Sequence, residues 1–169
     1  MTGLRERLFH FLDGWGGFFR NMTENAVHFK PPTGLFRRFR LPMARRAHPV
    51  LDLKRAATPL VDIVRIYALR HGIRETNTHD RLYGLYLKNV ISRQDHAELE
   101  QAYSFLMQLR FLRQIEALES ASAEPDNVVN PNSLSKFEQN MLRETLKRIE
   151  VLQARARFDF IGTADAHLQ

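Results

Sequence analysis

The sequence predicts an all-α protein, a bundle of five or six helices that ends in two long antiparallel helices. Apolar residues recur at helical spacing through most of the 169 residues, and no stretch shows the alternation typical of a strand. Four prolines interrupt the helical period between residues 31 and 56. We therefore expect one helical domain with an irregular basic segment at about 30–56.

The amino-acid composition excludes several kinds of functional site. The chain contains no cysteine, which excludes a disulfide framework, a thiolate zinc site and a cysteine nucleophile, and fits a reducing, cytoplasmic location. No apolar run approaches the roughly 20 residues of a membrane helix, and the glycine-interrupted N terminus is not typical of a signal peptide. The net charge of +6 is concentrated between residues 30 and 55, where eight Lys and Arg face one acid, Asp52.

The first helical region spans residues 4–29, where glycines at 14, 16 and 17 predict two helices or one broken helix. Pro31 and Pro32 end it. The stretch HPVLDLK that follows could form a short extended piece. Thr58 and Pro59 then predict the start of the next helix, and His71-Gly72 its end. Thr76 or Thr78 opens a shorter helix.

The two long helices come last. Ser92 and Asp95 resemble a capping box and predict a helix over about 92–121. The turn-rich stretch from 121 to 131 predicts a loop, and Ser133 or Ser135 caps a final helix to about Phe160. Because the loop between the two long helices has only about ten residues, the two helices should pack antiparallel. The residues that we expect on the buried faces of the two helices include Leu99, Leu106, Leu109, Leu112, Leu118, Phe137, Leu142 and Ile149.

Most familiar catalytic motifs are missing from the sequence. There is neither a glycine-rich phosphate loop that ends in Lys-Ser/Thr nor an HExxH zinc motif. His48, the pair His79-Asp80 and Asp126 follow the order of a metal-dependent His-Asp phosphohydrolase. The alternative, which we favour, places His79-Asp80 in the first turn of a helix, where a carboxylate suits the free amides.

The basic segment allows three hypotheses. Its charges could belong to a solvated loop, or they could converge on a phosphate-bearing ligand. Nucleic acid is the third hypothesis, because Phe36 and Phe39 lie among arginines and could stack on bases. The lack of a helix-turn-helix or another named module argues against nucleic acid.

Charged and polar residues inside apolar patterns are the candidate site residues. In VLDLK, Asp52 and Lys54 share one side if the piece is extended. Arg65 lies between apolar residues of the next helix, and Arg110 and Gln114 share a helix face. Asp52 could pair with Arg65 or Arg110 as a buried ion pair, or these residues could line a ligand cleft.

Six short motifs, in order along residues 18–160, resemble the putative nucleotidyltransferase substrate-binding domain family. They are PPTGLFRRF, VLDLKRAATPLVDIVRIYALRHGI, TNTHDRL, AYSFLMQLRFLRQ, DNVVNPNSLS and LKRIEVLQARARFDF. The family's common DLKRGG is Asp52-Leu-Lys-Arg-Ala-Ala57 here. Within this resemblance, residues 1–17 form a helical lead-in, 18–160 the domain, and 161–169 a tail.

The resemblance implies a helical module of bacterial signalling proteins that also carry cyclic-nucleotide-binding, CBS-pair and nucleotidyltransferase domains. The family's catalytic domain carries Gly-Ser and Asp-x-Asp, which this sequence lacks. We therefore expect no catalysis by this chain alone, with Mg²⁺ and a nucleoside triphosphate bound at a partner catalytic domain, in cis or in trans. The polar positions that the resemblance carries over are Asp52, Lys54, Arg65, Thr78, Arg81, Arg110, Gln114 and Asn127.

The resemblance also suggests roles for these residues. Lys54 and Arg81 are expected to contact phosphate or an acidic acceptor, Thr78 to cap a helix, and Asn127 to form a turn. Asp52, Arg65, Arg110 and Gln114 would either bind substrate or position the DLK segment. The competing hypotheses are a helical scaffold or homodimerisation module, and a nucleic-acid-binding protein that uses residues 30–55.

Overall fold

The structure, a computed structural model, describes residues 2–12, 15–28, 50–119 and 127–162. These residues confirm the all-α bundle. The basic stretch 29–49, with His48, and the loop residues 120–126, with Asp126, lie outside the described residues. The helices are α1 (Thr2–Leu12), α2 (Gly16–His28), α3 (Leu53–Arg70), α4 (Thr78–Leu87), α5 (Arg93–Glu119) and α6 (Lys136–Phe160).

Two very short strands complete the described fold. Strand β1 (Leu51–Asp52) pairs in antiparallel fashion with β2 (Val128–Val129), and a 3₁₀ turn over Pro131–Ser133 leads into α6. The apolar, β-branched pair of β2 lies where the sequence predicted only loop. The bridge ties the start of α3 to the chain that leaves α5.

Helix α3 is the centre of the bundle, since it packs against α2, α4, α5 and α6. Leu60, Ile63 and Ile66 of α3 are fully buried, each 0% exposed. Burial of a leucine or isoleucine side chain contributes about 1.5–3 kcal/mol, so α3 supplies much of the stability of the core.

The helix directions follow from individual contacts. His79 and Tyr86 of α4 contact Tyr103 and His96 of α5, so α4 and α5 are antiparallel. Lys88, just after α4, donates to the carbonyl of His71, just after α3, so these two helices end side by side. Arg148 and Arg155 of α6 both approach Asp95 near the start of α5. This confirms the antiparallel pair of long helices.

The start of α3 differs from the prediction. The helix begins at Leu53 rather than at Thr58, and Pro59 lies inside it. Asp52 provides the cap, because its carboxylate accepts from the backbone N–H of Arg55 at 3.0 Å. Pro59 lacks the N–H for one intrahelical bond, and tertiary packing of the fully buried Leu60 outweighs that loss. In the described part of HPVLDLK, residues 50–54, the strand is Leu51–Asp52 and Lys54 already belongs to α3, so Asp52 and Lys54 do not share an extended face.

The predicted helix ends fit the structure better. Ser92 and Asp95 exchange the bonds of a capping box, Ser135 caps α6 with Glu138, and Gly72 has a φ of 66° after α3. Helix α4, however, is capped by Asn77, whose side chain accepts from His79 N–H. The prediction of a Thr76 or Thr78 cap was wrong, and Thr78 is buried instead.

Three residues predicted to be buried are exposed: Leu112 at 46%, Leu118 at 67% and Phe137 at 73%. At about 100° per residue, Leu112 is about 60° from Leu109, at the edge of the buried stripe, whereas Leu118 lies on the opposite side of α5 from Leu109. Phe137 has the same relation to the buried stripe of α6. Among the described residues, no helix combines the length and apolarity needed to cross a bilayer.

Candidate functional site

The candidate site begins where β1 runs into α3. The backbone N–H of Leu53 donates to the carbonyl of Asn127 at 2.8 Å, while Asp52 caps the helix. The prediction that Asp52 pairs with Arg65 or Arg110 was wrong, because the cap occupies its carboxylate and both arginines have other partners. In this position Asp52 fixes the direction in which α3 leaves the strand bridge.

Asn127 also holds the side chains of α5. Its Oδ1 accepts from Nε of Arg110 at 2.6 Å and from Nε2 of Gln114 at 3.4 Å. Asn127, expected only as a turn former, is therefore the point where α3, α5 and β2 meet. The Nε bond fixes the plane of the Arg110 guanidinium and leaves its terminal Nη groups available.

Arg113 strengthens the same corner, and the sequence did not single it out. Its Nε donates to the carbonyl of Val128 at 3.1 Å, while its Nη1 pairs with Glu116. Its spacing of three from Arg110 puts the two arginines on neighbouring positions of one helix face. That spacing is the signal that could have identified Arg113.

The second group of cations lies between α3 and α4. Nε of Arg81 donates to the carbonyl of Glu75 at 2.8 Å, and Arg65 pairs with Asp62 at 3.2 Å. Burial lowers the pKa of Arg81 from its ordinary value, and the nearby charge of Arg65 lowers it further. The two guanidinium groups are thus close enough to repel each other.

Lys54 extends the cationic surface toward the start of α3. It is exposed, and Arg65 lies about three turns further along the same helix face, about 16 Å away along the axis. Among the described residues, Lys54 forms no ion pair. A lysine in this position presents a mobile, compact charge to a ligand.

One ring contact between α4 and α5 lies between the two groups. His79, two residues before Arg81, contacts the ring of Tyr103 with centroids 5.0 Å apart, and Arg110 lies two turns beyond Tyr103 on α5. Arg81 follows His79 by two residues, about 200° round α4, so it lies on the opposite side of α4 from the Tyr103 contact. We call the surface formed by Lys54, Arg65, Arg81, Arg110 and Gln114 the basic face.

The basic face thus contains five of the six residues predicted to bind substrate, and Asp52 is the one that serves as a cap. The His-Asp metal order is the alternative that we did not favour, and two of its residues, His48 and Asp126, lie outside the described residues. His79 and Asp80 lie in the first turn of α4, and the described part of the chain contains no cluster of potential metal ligands.

Comparison with protein families decides where the chain belongs. The model of the family described as putative nucleotidyltransferase substrate binding domain matches residues 16–160. The chain belongs to this family. The match takes in α2 to α6 and every residue of the basic face, and the family's description implies association with a nucleotidyltransferase catalytic domain. Comparison with curated proteins and with solved structures gave no significant match.

Proposed function

We propose that this chain is the non-catalytic, substrate-recognition domain of a bacterial, cytoplasmic nucleotidyltransferase signalling protein. The observation that carries the proposal is the coincidence of the family match with a face of four cations, of which only Arg65 is paired with a described carboxylate. Mg²⁺ and the nucleoside triphosphate would be held by the separate catalytic domain, in cis or in trans. This chain would supply the surface opposite that site.

In this proposal the basic face closes over the catalytic cleft, where it neutralises phosphate oxygens or an acidic acceptor and excludes water. Lys54 supplies a mobile charge, whereas Arg65, Arg81 and Arg110 supply planar, paired donors. Gln114 and Asn127 keep the Arg110 fork in place, and Asp52 aims the start of α3. Phosphoryl transfer depends mainly on positioning and charge stabilisation, so a recognition domain of this kind could accelerate it without reacting groups of its own.

The test is a transfer assay with a labelled nucleoside triphosphate, the matching catalytic domain and this chain, joined or added separately. Addition of the chain should raise transfer to the acceptor, and Lys54→Ala should reduce it about tenfold, the value of one charge-assisted contact. Lys147→Ala is the matched control, because Lys147 is an exposed α6 lysine paired with Glu144.

The competing hypotheses predict different results. A scaffold or homodimerisation module would form a stable complex or dimer in sedimentation experiments, while transfer would not respond to Lys54→Ala. A nucleic-acid-binding protein would bind an oligonucleotide with an affinity that falls steeply with salt. Equal transfer with and without the chain would contradict the proposed function.

A further inference from the structure

A cleft opens at one end of the bundle, where α3 and α6 both end and α1 gives way to α2. Two adjoining cavities of about 580 and 320 Å³ form it, and both are lined by Arg70, Asp159 and Phe160. Ligand pockets commonly have volumes of about 300–1,000 Å³. Tyr67, which lines the larger cavity, follows Arg65 by two residues and therefore lies about 200° round α3 from it. The cleft is thus on the other side of α3 from the Arg65 of the basic face.

Direct contacts bring the lining side chains to one place. The Cζ atom of Arg70 lies 5.8 Å from the ring centroid of Phe19. The Phe19 ring stacks on Phe160 with centroids 6.1 Å apart, and Phe160 meets the Tyr67 ring edge-on at 5.0 Å. The Tyr67 hydroxyl donates to Oδ2 of Asp159 at 2.5 Å. An unbroken series of contacts therefore joins the guanidinium to the carboxylate.

The walls of the cleft suit a flat, aromatic ligand. Trp15 lines the smaller cavity and Phe158 the larger one, and these side chains are 63% and 68% exposed. Rings this exposed beside a cavity offer their faces to a planar group, and a base stacked on an aromatic side chain gains affinity whatever its identity.

Asp159 can recognise the edge of such a ring. In the described chain its two partners, the Tyr67 hydroxyl and the Arg155 guanidinium, both contact Oδ2. The Oδ1 atom can therefore accept from an N–H of a ligand, and the side chain is 35% exposed, so a ligand can reach it. Nucleobases combine a flat face with N–H groups along an edge.

The charges at the cleft favour an anion. Among the described side chains, Arg70 contacts a ring but no carboxylate. Lys88 donates from Nζ to the carbonyl of His71, which lines the larger cavity. Burial lowers the pKa of His71, and the charges of Arg70 and Lys88 lower it further, so its imidazole is neutral at neutral pH. A phosphate ester brings a charge of about −1.5 to −2, which matches the two cations.

We propose that this cleft binds a nucleoside monophosphate. The base stacks on Phe158 and donates to Asp159, and the phosphate lies against Arg70 and Lys88. This site goes beyond the proposed function, because it belongs to this chain alone and is separate from the nucleotide that the catalytic domain would hold. Through it, the domain could respond to a nucleotide that is not being transferred.

The experiment is a fluorescence titration of the full chain with AMP and with UMP at low ionic strength. Trp15 is the only tryptophan of the sequence and lines the cleft, so a base bound there should quench its emission. We expect a dissociation constant of about 1 mM or lower. Isothermal titration measures the same affinity without relying on the indole ring.

Two pairs of variants test the cleft. Phe158→Ala removes a stacking ring and should weaken binding about tenfold. Phe137→Ala is its matched control, because Phe137 is a 73% exposed phenylalanine of the same helix, about 30 Å away along the axis. Arg70→Gln should also weaken binding about tenfold, whereas Arg20→Gln, at an arginine paired with Glu24, should not. Circular dichroism confirms that each variant is folded.

Titrations with adenosine and with ribose 5-phosphate test the two halves of the ligand. Each should bind more weakly than AMP, because adenosine lacks the phosphate and ribose 5-phosphate lacks the base. The inference is overturned if neither AMP nor UMP binds, if either half binds as tightly as AMP, or if Phe158→Ala binds like Phe137→Ala. The titrations use this chain alone, so their failure would leave the proposed function to its own transfer assay.

Discussion

Replacement of Asn127 separates the structural role of the basic face from its role in binding. The Asn127 side chain accepts from Arg110 at 2.6 Å and from Gln114 at 3.4 Å, while its backbone carbonyl accepts from Leu53. Asn127→Ala removes the two side-chain contacts and keeps the backbone bond. A hydrogen bond to a charged group contributes about 1.5–3 kcal/mol. Because this corner is half-buried, we expect the low end, a loss of about 1.5 kcal/mol in the free energy of unfolding.

Asn127→Asp should preserve the stability of the fold but weaken phosphate binding. The new carboxylate still accepts from Arg110 and now pairs with it, so the free energy of unfolding should stay within about 1 kcal/mol of the wild type or rise. The same charge neutralises Arg110 and repels a phosphate, so the affinity for pyrophosphate should fall by about tenfold or more. Urea denaturation gives the stabilities, and isothermal titration gives the affinities.

Two results would refute this reasoning. If Asn127→Ala unfolds at the same urea concentration as the wild type, the contacts to Arg110 and Gln114 do not support the fold. If Asn127→Asp binds pyrophosphate as tightly as the wild type, Arg110 is not part of a phosphate site. For a chain of this length, a loss of 1.5 kcal/mol lowers Tm by about 3–6 °C, which thermal melting detects easily.

Three further predictions test the fold around the site. Asp52→Ala should lower the free energy of unfolding by about 1 kcal/mol in urea titrations, whereas Asp52→Ser, which can still cap α3, should retain most of it. Leu60→Ala should cost about 2–5 kcal/mol, and Leu118→Ala, at an exposed position, less than about 0.5 kcal/mol; equal losses would contradict the assigned burial. Burial, followed by the hydrogen bond to Asp159, raises the pKa of Tyr67 above its ordinary value of 10.0. The tyrosine of the unfolded chain therefore ionises at a lower pH than that of the folded chain. As a result, the free energy of unfolding of the wild type falls as pH rises above 10.0. The Tyr67→Phe variant should be less stable than the wild type at neutral pH, and its stability should not show this decline at alkaline pH. If the urea midpoints of the wild type and the variant differ by a constant amount from pH 7 to 11, the role of Tyr67 is contradicted.

The helices could be predicted where local signals and tertiary packing agree. Ser92 with Asp95 is a cap that the sequence shows directly, and Ser135 is one of the two caps predicted for the last helix; the structure contains both, the second with Glu138. The start of α3 could not be predicted in this way. Thr58-Pro59 has the local pattern of a helix start, but a buried apolar stripe that already includes Leu53 and Ala56 extends the helix back to Asp52. The packing of α3 against four neighbouring helices therefore determines its first residue.

The candidate site was predictable as a set of residues but not as a set of contacts. The spacing of Arg110 and Gln114 shows that they share a face of α5, and the structure places them on one oxygen. Their common partner, Asn127, lies more than ten residues away along the chain, across the connection to β2. No periodicity links positions so far apart, and the two-residue bridge that brings them together is too short to leave a strand pattern.

The arginines between α5 and α6 and those of the basic face are held in physically different ways. Between α5 and α6, Arg148 pairs with Asp95 and Glu98, and Arg155 pairs with Asp95. Arg155 also pairs with Asp159 of its own helix. The charges in these pairs neutralise each other, and the pairs with Asp95 and Glu98 join the two helices. On the basic face, Arg81 and Arg110 are oriented by neutral oxygens instead, so their charges remain available to an outside anion. A carboxylate in place of the Asn127 amide oxygen would satisfy the Arg110 cation at least as well, whereas the acceptor of Arg81 is a backbone carbonyl. The neutral side chain at Asn127 therefore favours a binding role for Arg110 over a purely structural one, which is the distinction that Asn127→Asp tests.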